Sequence, residues 1–145
     1  MKILFICRGN VGRSQMAEAI FNNMMDGVLT STSAGTLVEN KDGEDRDGYL
    51  LKDTKGAENV IASMAEIGID VSNHMRTQLT PEMIDECDWA VVMAEPETIP
   101  DYLSKSEKAI MWEVEDPKGM NLEETSEIRD QIESLVDSLI TEFAL

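Results

Sequence analysis

A cysteine and an arginine separated by five residues lie between a short apolar run and an amphipathic segment near the start of the sequence. The apolar run, KILFI at residues 2–6, is typical of a buried parallel strand. The amphipathic segment at residues 14–25 carries apolar side chains three and four positions apart, which predicts a helix. A strand, a tight loop and a helix in this order constrain the fold more than any other feature of the chain.

The same alternation of strand and helix continues along the sequence. Further strands are predicted at residues 28–33, 88–93 and 108–112. Further helices are predicted at residues 57–67 with Gly68 as the cap, after Thr80 and Pro81, and at residues 123–143. Residues 37–55 are rich in charged side chains and are predicted to form a long exposed loop. The alternation predicts an α/β fold with a parallel sheet, helices on both faces, and a site at the carboxyl ends of the strands.

Length and charge limit the class of protein further. The 145 residues fit one domain, which we expect to span residues 1–145. The chain has 29 acidic and 12 basic residues and a formal charge of −17. Such a chain repels polyanions, so we expect no nucleic acid and no membrane as partners. The sequence contains no signal-peptide pattern and no apolar run of transmembrane length, and we therefore expect a cytoplasmic protein.

Cysteine and histidine are scarce in this chain. Two cysteines, Cys7 and Cys87, are too few for a disulfide framework, and their spacing to the one histidine, His74, does not suggest zinc. The sequence therefore predicts no metal and no other cofactor.

The loop after the first strand has the composition of an oxyanion cradle. Its residues are Cys7, Arg8, Gly9, Asn10, Val11, Gly12, Arg13 and Ser14. The five residues between Cys7 and Arg13 can wrap an anion with their N–H groups inward. Gly9 and Gly12 can take positive φ at little cost, and Asn10 is the next most tolerant residue type. The helix N-terminus adds N–H groups, and Arg13 can bind two phosphoryl oxygens. The same groups favour a Cys7 thiolate, to which Ser14 can donate its hydroxyl, and this predicts a nucleophile directed at phosphorus.

These residues resemble the signature of a known family. The matching segments are Ile6-Cys7-x-Gly9-Asn10-x-x-Arg13-Ser14, residues 16–19 (MAEA), 33–36 (SAGT) and 68–74 (GIDVSNH), Asp88, and Asp116-Pro117. Together they resemble the low molecular weight protein-tyrosine phosphatases and the thioredoxin-coupled arsenate reductases that share their fold. The resemblance covers nearly the whole chain. It implies a three-layer sandwich with four parallel strands in the order 2-1-3-4.

The resemblance also implies roles for individual residues. It implies a phosphocysteine intermediate on Cys7, a phosphate held by residues 8–14, and Asp116 as general acid and then general base. Glu113 and Glu115 are the alternatives for the acid. The family supports its loop with a polar network, and the matching residues here are Asn10, Ser14, Ser33 and His74.

The chain departs from the family pattern within the loop and after Asp-Pro, and the second of these departures leaves the substrate open. Many members carry a second cysteine within the loop, where this chain has Val11 and Gly12. Many members also carry tyrosines directly after Asp-Pro as walls of a phosphotyrosine slot, where this chain has residues 118–120 (KGM). Tyr49 and Leu50 are the candidates for a replacement wall. Phosphotyrosine on proteins stays the first substrate hypothesis, and phosphoarginine is an alternative.

Cys87 bears on a second reaction, arsenate reduction. It precedes the third predicted strand, which at about 3.3 Å per residue puts it roughly 20 Å from the edge that holds Cys7. A disulfide needs Cα atoms within about 7 Å, so a thiol relay inside the chain is disfavoured and an external thiol would be required. A non-enzymatic oxyanion-binding module is the remaining hypothesis, disfavoured because Cys7, Arg13 and Asp116 are all present. The expected partner is a phosphorylated protein or small phosphomonoester, and the chain is expected to be a monomer or weak dimer.

Overall fold

Four parallel β-strands form the centre of the molecule in the computed structural model, which describes residues 1–39 and 43–145. The strands are β1 (Ile3–Cys7), β2 (Thr32–Gly35), β3 (Trp89–Val92) and β4 (Ala109–Met111). They lie in the order β2-β1-β3-β4, which confirms the expected order. Because β1 pairs with both β2 and β3, its carboxyl end at Cys7 lies in the middle of the sheet.

Helices cover both faces of this sheet, as predicted. The described helices are α1 (Arg13–Met25), α2 (Glu58–Ala65), α3 (Pro81–Glu86), α4 (Asp101–Ser104) and α5 (Leu122–Glu142). The first face carries α1, α2 and α5, and the second carries α3 and α4. Successive side chains of β1 alternate between the two cores, so that Phe5 packs into the first and Ile6 into the second.

The second strand begins later than predicted. Residues 28–31 lie outside β2, and Val28 is 77% exposed. Asp26 and Gly27 both have positive φ and turn the chain out of α1, so residues 28–31 serve as a connection back to the sheet. The β-branched composition of this segment was therefore a misleading signal, because such residues favour strands only where the sheet buries them.

Residues 37–55 are not the wholly exposed loop that the sequence predicts. Leu51 is fully buried and begins a short 3₁₀ turn, Leu51–Asp53. Leu50 forms an antiparallel bridge with Met75, which ties this segment to the chain that follows α2. High charge made the segment look uniformly exposed, although Val38, Leu51 and Thr54 within it are buried and anchor it. Residues 40–42 of the predicted loop lie outside the described residues.

The last helix, α5, is amphipathic. A capping box starts it: the Asn121 side chain accepts from Glu124 N, and the Glu124 side chain accepts from Asn121 N. Its apolar side, which includes Ile132 and Val136, packs against α1 and α2. Within residues 1–39 and 43–145, no helix has the length and apolarity that crossing a bilayer requires.

Candidate active site

The loop after β1 curls at the carboxyl edge of the sheet with its first carbonyl groups turned away from its centre. Thr36 N donates to the Cys7 carbonyl at 2.9 Å, and Leu37 N donates to the Arg8 carbonyl at 2.8 Å. Both donors follow β2 directly, and β2 is held beside β1 by the pairing of Cys7 with Gly35. The sheet itself therefore fixes the start of the loop.

The next two carbonyls of the loop are held by side chains. Arg76 donates from Nε and Nη2 to the Gly9 carbonyl, each at 3.1 Å, and Gln15 Nε2 donates to the Asn10 carbonyl at 3.2 Å. In a trans peptide the N–H points opposite to the C=O, so outward carbonyls turn the N–H groups inward. Among the residues that the structure describes, no acceptor lies on the backbone N–H groups of residues 8–14. These groups form a nest of donors that suits an anion.

Positive φ occurs at Asn10 rather than at the glycines of the loop. Asn10 has φ of 54°, whereas Gly12 has φ of −105° and Gly9 is not among the positive-φ residues, so the loop uses the tolerance of Asn10 and not that of its glycines. Asparagine tolerates this region because its short amide bonds to nearby groups. Gly12 is needed for a different reason: a Cβ there would lie 2.9 Å from Pro117 Cγ.

Cys7 is buried, and its sulfur lies 2.9 Å from the Ser14 hydroxyl oxygen. Asn10 Nδ2 donates to that same Ser14 oxygen at 2.7 Å and to the Ser33 hydroxyl oxygen at 3.0 Å. The Ser14 oxygen accepts a hydrogen bond from Asn10, and its own proton can be donated to the sulfur when Cys7 is a thiolate. The geometry is that of a hydroxyl positioned to stabilise a thiolate.

A second layer of polar side chains holds Asn10. Gln15 Nε2 donates to Asn10 Oδ1 at 3.1 Å, and Gln15 Oε1 lies 3.3 Å from His74 Nδ1. The same His74 nitrogen lies 3.5 Å from Glu18 Oε2. Burial raises the pKa of Glu18 to about 7, although hydrogen bonds from Ser33 oppose this, and burial lowers the pKa of His74. Burial thus favours the uncharged form of both Glu18 and His74 over a full ion pair. His74 and Ser33 both lie in one network with the loop.

Arg13 is 3% exposed and is held at the carboxyl ends of β3 and β4. Its Nη1 donates to the Met93 carbonyl at 2.5 Å and to the Val114 carbonyl at 3.1 Å. The Glu95 carboxylate pairs with both terminal nitrogens of Arg13, with Nη1 to Oε1 at 2.9 Å and Nη2 to Oε2 at 3.3 Å. Burial alone would lower the pKa of Arg13, but the acidic groups around it, Cys7 first among them, raise that pKa above its ordinary value. Within the described chain Nε has no acceptor, so this edge of the guanidinium remains available for an oxyanion.

Asp116 follows β4 and is the acid of the predicted cluster that reaches Arg13. Its Oδ2 lies 3.7 Å from Arg13 Nη2, and its Oδ1 accepts from Lys118 N at 3.0 Å. The Asp116 side chain is 38% exposed, so it can meet a substrate at the mouth of the loop. Glu113 and Glu115 are exposed, and neither pairs with Arg13 among the described ion pairs.

Two loop residues have looser surroundings. Arg8 is exposed, and its charge helps to lower the pKa of Glu95 against the opposing effect of burial. Val11 is partly buried and packs against the first core. Arg8 thus lies at the rim of the loop, and Val11 anchors its far side.

Four polar residues of the site were not singled out by sequence reasoning. They are Gln15, Glu18, Arg76 and Glu95. Only Glu95 carried a usable signal, because a carboxylate just past a parallel strand lies at the active edge of such a sheet. The other three act through contacts with distant or hidden partners that a single sequence does not reveal.

The remaining cysteine lies at the opposite end of the sheet. Cys87 follows α3, is buried in the second core, and precedes Trp89, which pairs with the first residue of β1. Both cysteines are free. Over the described residues no group of three acidic, histidine or cysteine side chains is arranged to hold a metal ion.

Comparison with known proteins agrees with this site. A family model described as low molecular weight phosphotyrosine protein phosphatase matches residues 2–144. Glutaredoxin arsenate reductase from Synechocystis is 27% identical over 149 residues, which cover 99% of this chain and 98% of that protein. A low molecular weight protein tyrosine phosphatase structure from T. tengcongensis has a TM-score of 0.76 at 28% identity, covering 98% of this chain and 99% of that one. The YwlE arginine phosphatase structure from Geobacillus stearothermophilus has a TM-score of 0.77 at 25% identity, covering 99% and 92%.

A cysteine within an oxyanion loop, at the carboxyl edge of a parallel sheet, defines a class of enzymes that transfer phosphoryl groups through a thiolate. The chain belongs to the low molecular weight phosphotyrosine protein phosphatase family and is a cysteine-dependent phosphatase.

Proposed function

We propose that this protein hydrolyses phosphomonoesters, with phosphotyrosine on proteins as the first substrate class, through a phosphocysteine on Cys7. The observation that supports this most strongly is the Ser14 hydroxyl 2.9 Å from the Cys7 sulfur, inside a ring of inward N–H groups. A thiolate held in this way faces the phosphorus of any phosphoryl group that the ring binds.

In the first step the loop N–H groups and Arg13 bind the three phosphoryl oxygens. The Cys7 thiolate attacks phosphorus, an S–P bond forms, and the P–O bond to the leaving group breaks. Asp116, protonated in this step, donates its proton to the departing oxygen. The position of Asp116 beside Arg13 brings the proton donor and the bound phosphoryl group to the same side of the loop.

In the second step a water molecule replaces the leaving group. The Asp116 carboxylate accepts a proton from that water as it attacks phosphorus, and the S–P bond breaks. Inorganic phosphate leaves, Cys7 returns to the thiolate, and Asp116 is again protonated. The reaction consumes one water and needs no other reactant.

Two variants and two substrates test these roles. Cys7→Ser should abolish release of p-nitrophenol from p-nitrophenyl phosphate. Asp116→Ala should lower kcat by about 10²–10⁴-fold for phenyl phosphate, whose leaving group needs a proton, and less for p-nitrophenyl phosphate. Glu115→Ala, at an exposed neighbour of the acid, is the matched control and should retain activity. If neither Cys7→Ser nor Asp116→Ala reduces turnover, the mechanism is wrong.

Substrate choice depends on what lines the mouth of the loop. Tyr49 is 45% exposed, and the Arg46 guanidinium lies 5.1 Å from the centre of its ring. The Tyr49 carbonyl accepts from Arg76 N at 2.7 Å, and Arg76 in turn holds Gly9 of the loop. This connection supports Tyr49 as the aromatic wall in a chain whose Asp-Pro pair is followed by no tyrosine. Tyr49→Ala should then raise KM for phosphotyrosine more than it raises KM for small phosphomonoesters that have no aromatic ring.

Arsenate reduction with an external thiol is the second candidate, favoured by the relative from Synechocystis and by Cys87 lying at the far end of the sheet. Phosphoarginine is the third, favoured by two carboxylates, Glu95 and Asp116, beside Arg13, where they could meet a guanidinium. A panel of phosphotyrosine, phosphoarginine, phosphoserine and arsenate with glutathione separates the three. Arsenate-dependent thiol oxidation that Cys7→Ser abolishes, without phosphatase turnover, would replace the proposed function with reduction.

A further inference from the structure

Arg76 is a buried cation directly behind the phosphate-binding loop. Its side chain is among the largest that are fully buried, at 2% exposure, and both its Nε and its Nη2 donate to the Gly9 carbonyl. Its backbone is fixed as well, because its N–H donates to Tyr49 O at 2.7 Å and its carbonyl accepts from Gly48 N at 2.8 Å. Burying a guanidinium is costly unless it is hydrogen-bonded, and the Gly9 carbonyl supplies an acceptor for two of its N–H groups.

The carbonyl that Arg76 holds belongs to the peptide at which the loop reverses direction. The Gly9–Asn10 peptide has a glycine on one side and a residue with φ of 54° on the other. The neighbouring carbonyls of Cys7 and Arg8 accept from backbone N–H groups at 2.9 and 2.8 Å, which are neutral donors. A two-pronged bond from a guanidinium is stronger than a neutral one. The charged donor therefore holds the carbonyl whose rotation would turn the Asn10 N–H away from an anion.

The charge of Arg76 also acts on the site. Burial lowers the pKa of Arg76, whereas the negative charge of Cys7 raises it and the positive charge of Arg46 lowers it. Arg13 likewise interacts with Cys7, so two buried guanidinium groups act on the charge of Cys7, with Arg76 placed on the carbonyl two residues after it. Negative charge on Cys7 or on a bound phosphoryl group is favoured by both.

We propose that Arg76 is a positioning residue for phosphoryl transfer: its guanidinium fixes the Gly9 carbonyl outward, so that the Asn10 N–H points into the loop, and adds a second buried positive charge beside Cys7. Arg76 acts through this peptide and does not itself contact the phosphoryl group. The kinetic part of this proposal rests on the proposed phosphatase function, whereas its binding part does not.

The test compares two variants. Arg76→Met removes both the positive charge and the paired donors on the Gly9 carbonyl, whereas Arg76→Lys keeps the charge and removes only the paired donors. Arg129→Met is the matched control, because Arg129 is also buried, at 8% exposure, and donates to the Ser63 carbonyl at 2.7 Å, away from the loop. The readout is inorganic phosphate binding, measured by protection of Cys7 from iodoacetamide. We expect phosphate binding to weaken about 30-fold or more in Arg76→Met, about tenfold in Arg76→Lys, and less than twofold in Arg129→Met. We also expect alkylation of Cys7 at pH 6 without phosphate to slow several-fold in Arg76→Met only.

Phosphate binding within twofold of wild type in a folded Arg76→Met protein would overturn the proposal. Equal losses in all three variants would do so too, since they would indicate general destabilisation. A measurement on the unchanged protein remains decisive if the variants unfold. In nitrogen-15 NMR spectra, adding phosphate should shift the resonance of the Asn10 backbone amide strongly, and the Arg76 Nε–H should exchange slowly with solvent. An unmoved Asn10 amide or a rapidly exchanging Arg76 Nε–H would refute the positioning role of Arg76. If wild type binds phosphate but turns over no phosphomonoester, the proposed function fails while the test of Arg76 stands.

Discussion

The buried carboxyl of Glu18 gives the fold a pH dependence whose size follows from the structure. Burial raises its pKa from 4.5 to about 7, and its side chain is only 19% exposed. The folded protein therefore holds a proton on Glu18 that the unfolded chain releases above pH 4.5. The stability associated with this proton is complete below that value and is lost progressively as the pH rises through 7. At roughly 1.4 kcal/mol per pKa unit, this group should remove about 2–3 kcal/mol between pH 5 and pH 8.

The variant Glu18→Gln replaces the carboxyl by an amide of the same shape that cannot ionise. Urea unfolding, followed by tryptophan fluorescence, gives the free energy of unfolding of both proteins at each pH. We expect the wild type to lose about 2–3 kcal/mol more than the variant between pH 5 and pH 8. The other carboxylates of the chain titrate in both proteins, so their effects largely cancel in this difference. Glu86→Gln, at an exposed position on α3, is the matched control.

Parallel pH curves for wild type and Glu18→Gln would refute this reasoning, because they would mean that Glu18 titrates alike in the folded and unfolded states. A difference of the opposite sign would place an ionised Glu18 in the fold, paired with a protonated His74. Either result would also change the description of the network around Asn10, to which Glu18 is joined through Ser33.

Three further predictions follow from the geometry of the loop and its surroundings. Gly35→Ala would place a Cβ 2.6 Å from the Arg8 carbonyl oxygen. We therefore expect the free energy of unfolding in urea to fall by about 1–3 kcal/mol and phosphate binding to weaken. Unchanged stability and binding would contradict the close approach of β2 to the loop. Glu95→Gln should lower kcat/KM for p-nitrophenyl phosphate about tenfold, because the Arg13 guanidinium loses a charged acceptor. Glu97→Gln, on the exposed 3₁₀ turn Pro96–Thr98, is the control and should leave kcat/KM unchanged. For an acidic phosphopeptide, kcat/KM should rise with ionic strength as the overall repulsion is screened, and for a basic phosphopeptide it should fall; a flat or falling profile with the acidic peptide would contradict this.

Local patterns in the sequence were sufficient for the elements that carry the nucleophile. The strand sequence ILFIC (residues 3–7) is apolar throughout because β1 is covered on both faces, and α1 has its apolar spacing because one side packs on the sheet. Cys7 and Arg13 therefore fall between a strand and a helix for reasons visible within 25 residues. Asp116 lies near Arg13 because the carboxyl ends of parallel strands share one edge.

The parts that the sequence did not predict depend on contacts between distant residues. Arg76 meets Gly9 across 67 positions, and Glu95 meets Arg13 across 82. Neither pairing leaves a periodic pattern, since each involves one side chain on an irregular segment. The short helix α4 was missed for a related reason: with four residues it is too short for a helical repeat to be visible.

The net charge of −17 is compatible with an anionic substrate because the arginines are not spread evenly. Of five arginines, Arg129 lies on α5, and the others lie in the loop or in the segments that contact it. Arg8 and Arg13 belong to the loop, Arg76 holds Gly9, and Arg46 is close enough to lower the pKa of Arg76. Hydrogen bonds within the loop act over about 3 Å, whereas charges on the rest of the surface are screened over about 8 Å at physiological salt. The acidic surface therefore governs how fast a phosphorylated partner arrives, and the arginines and loop amides govern how tightly its phosphoryl group binds. Discrimination in favour of basic partners should accordingly appear in kcat/KM and its salt dependence rather than in kcat.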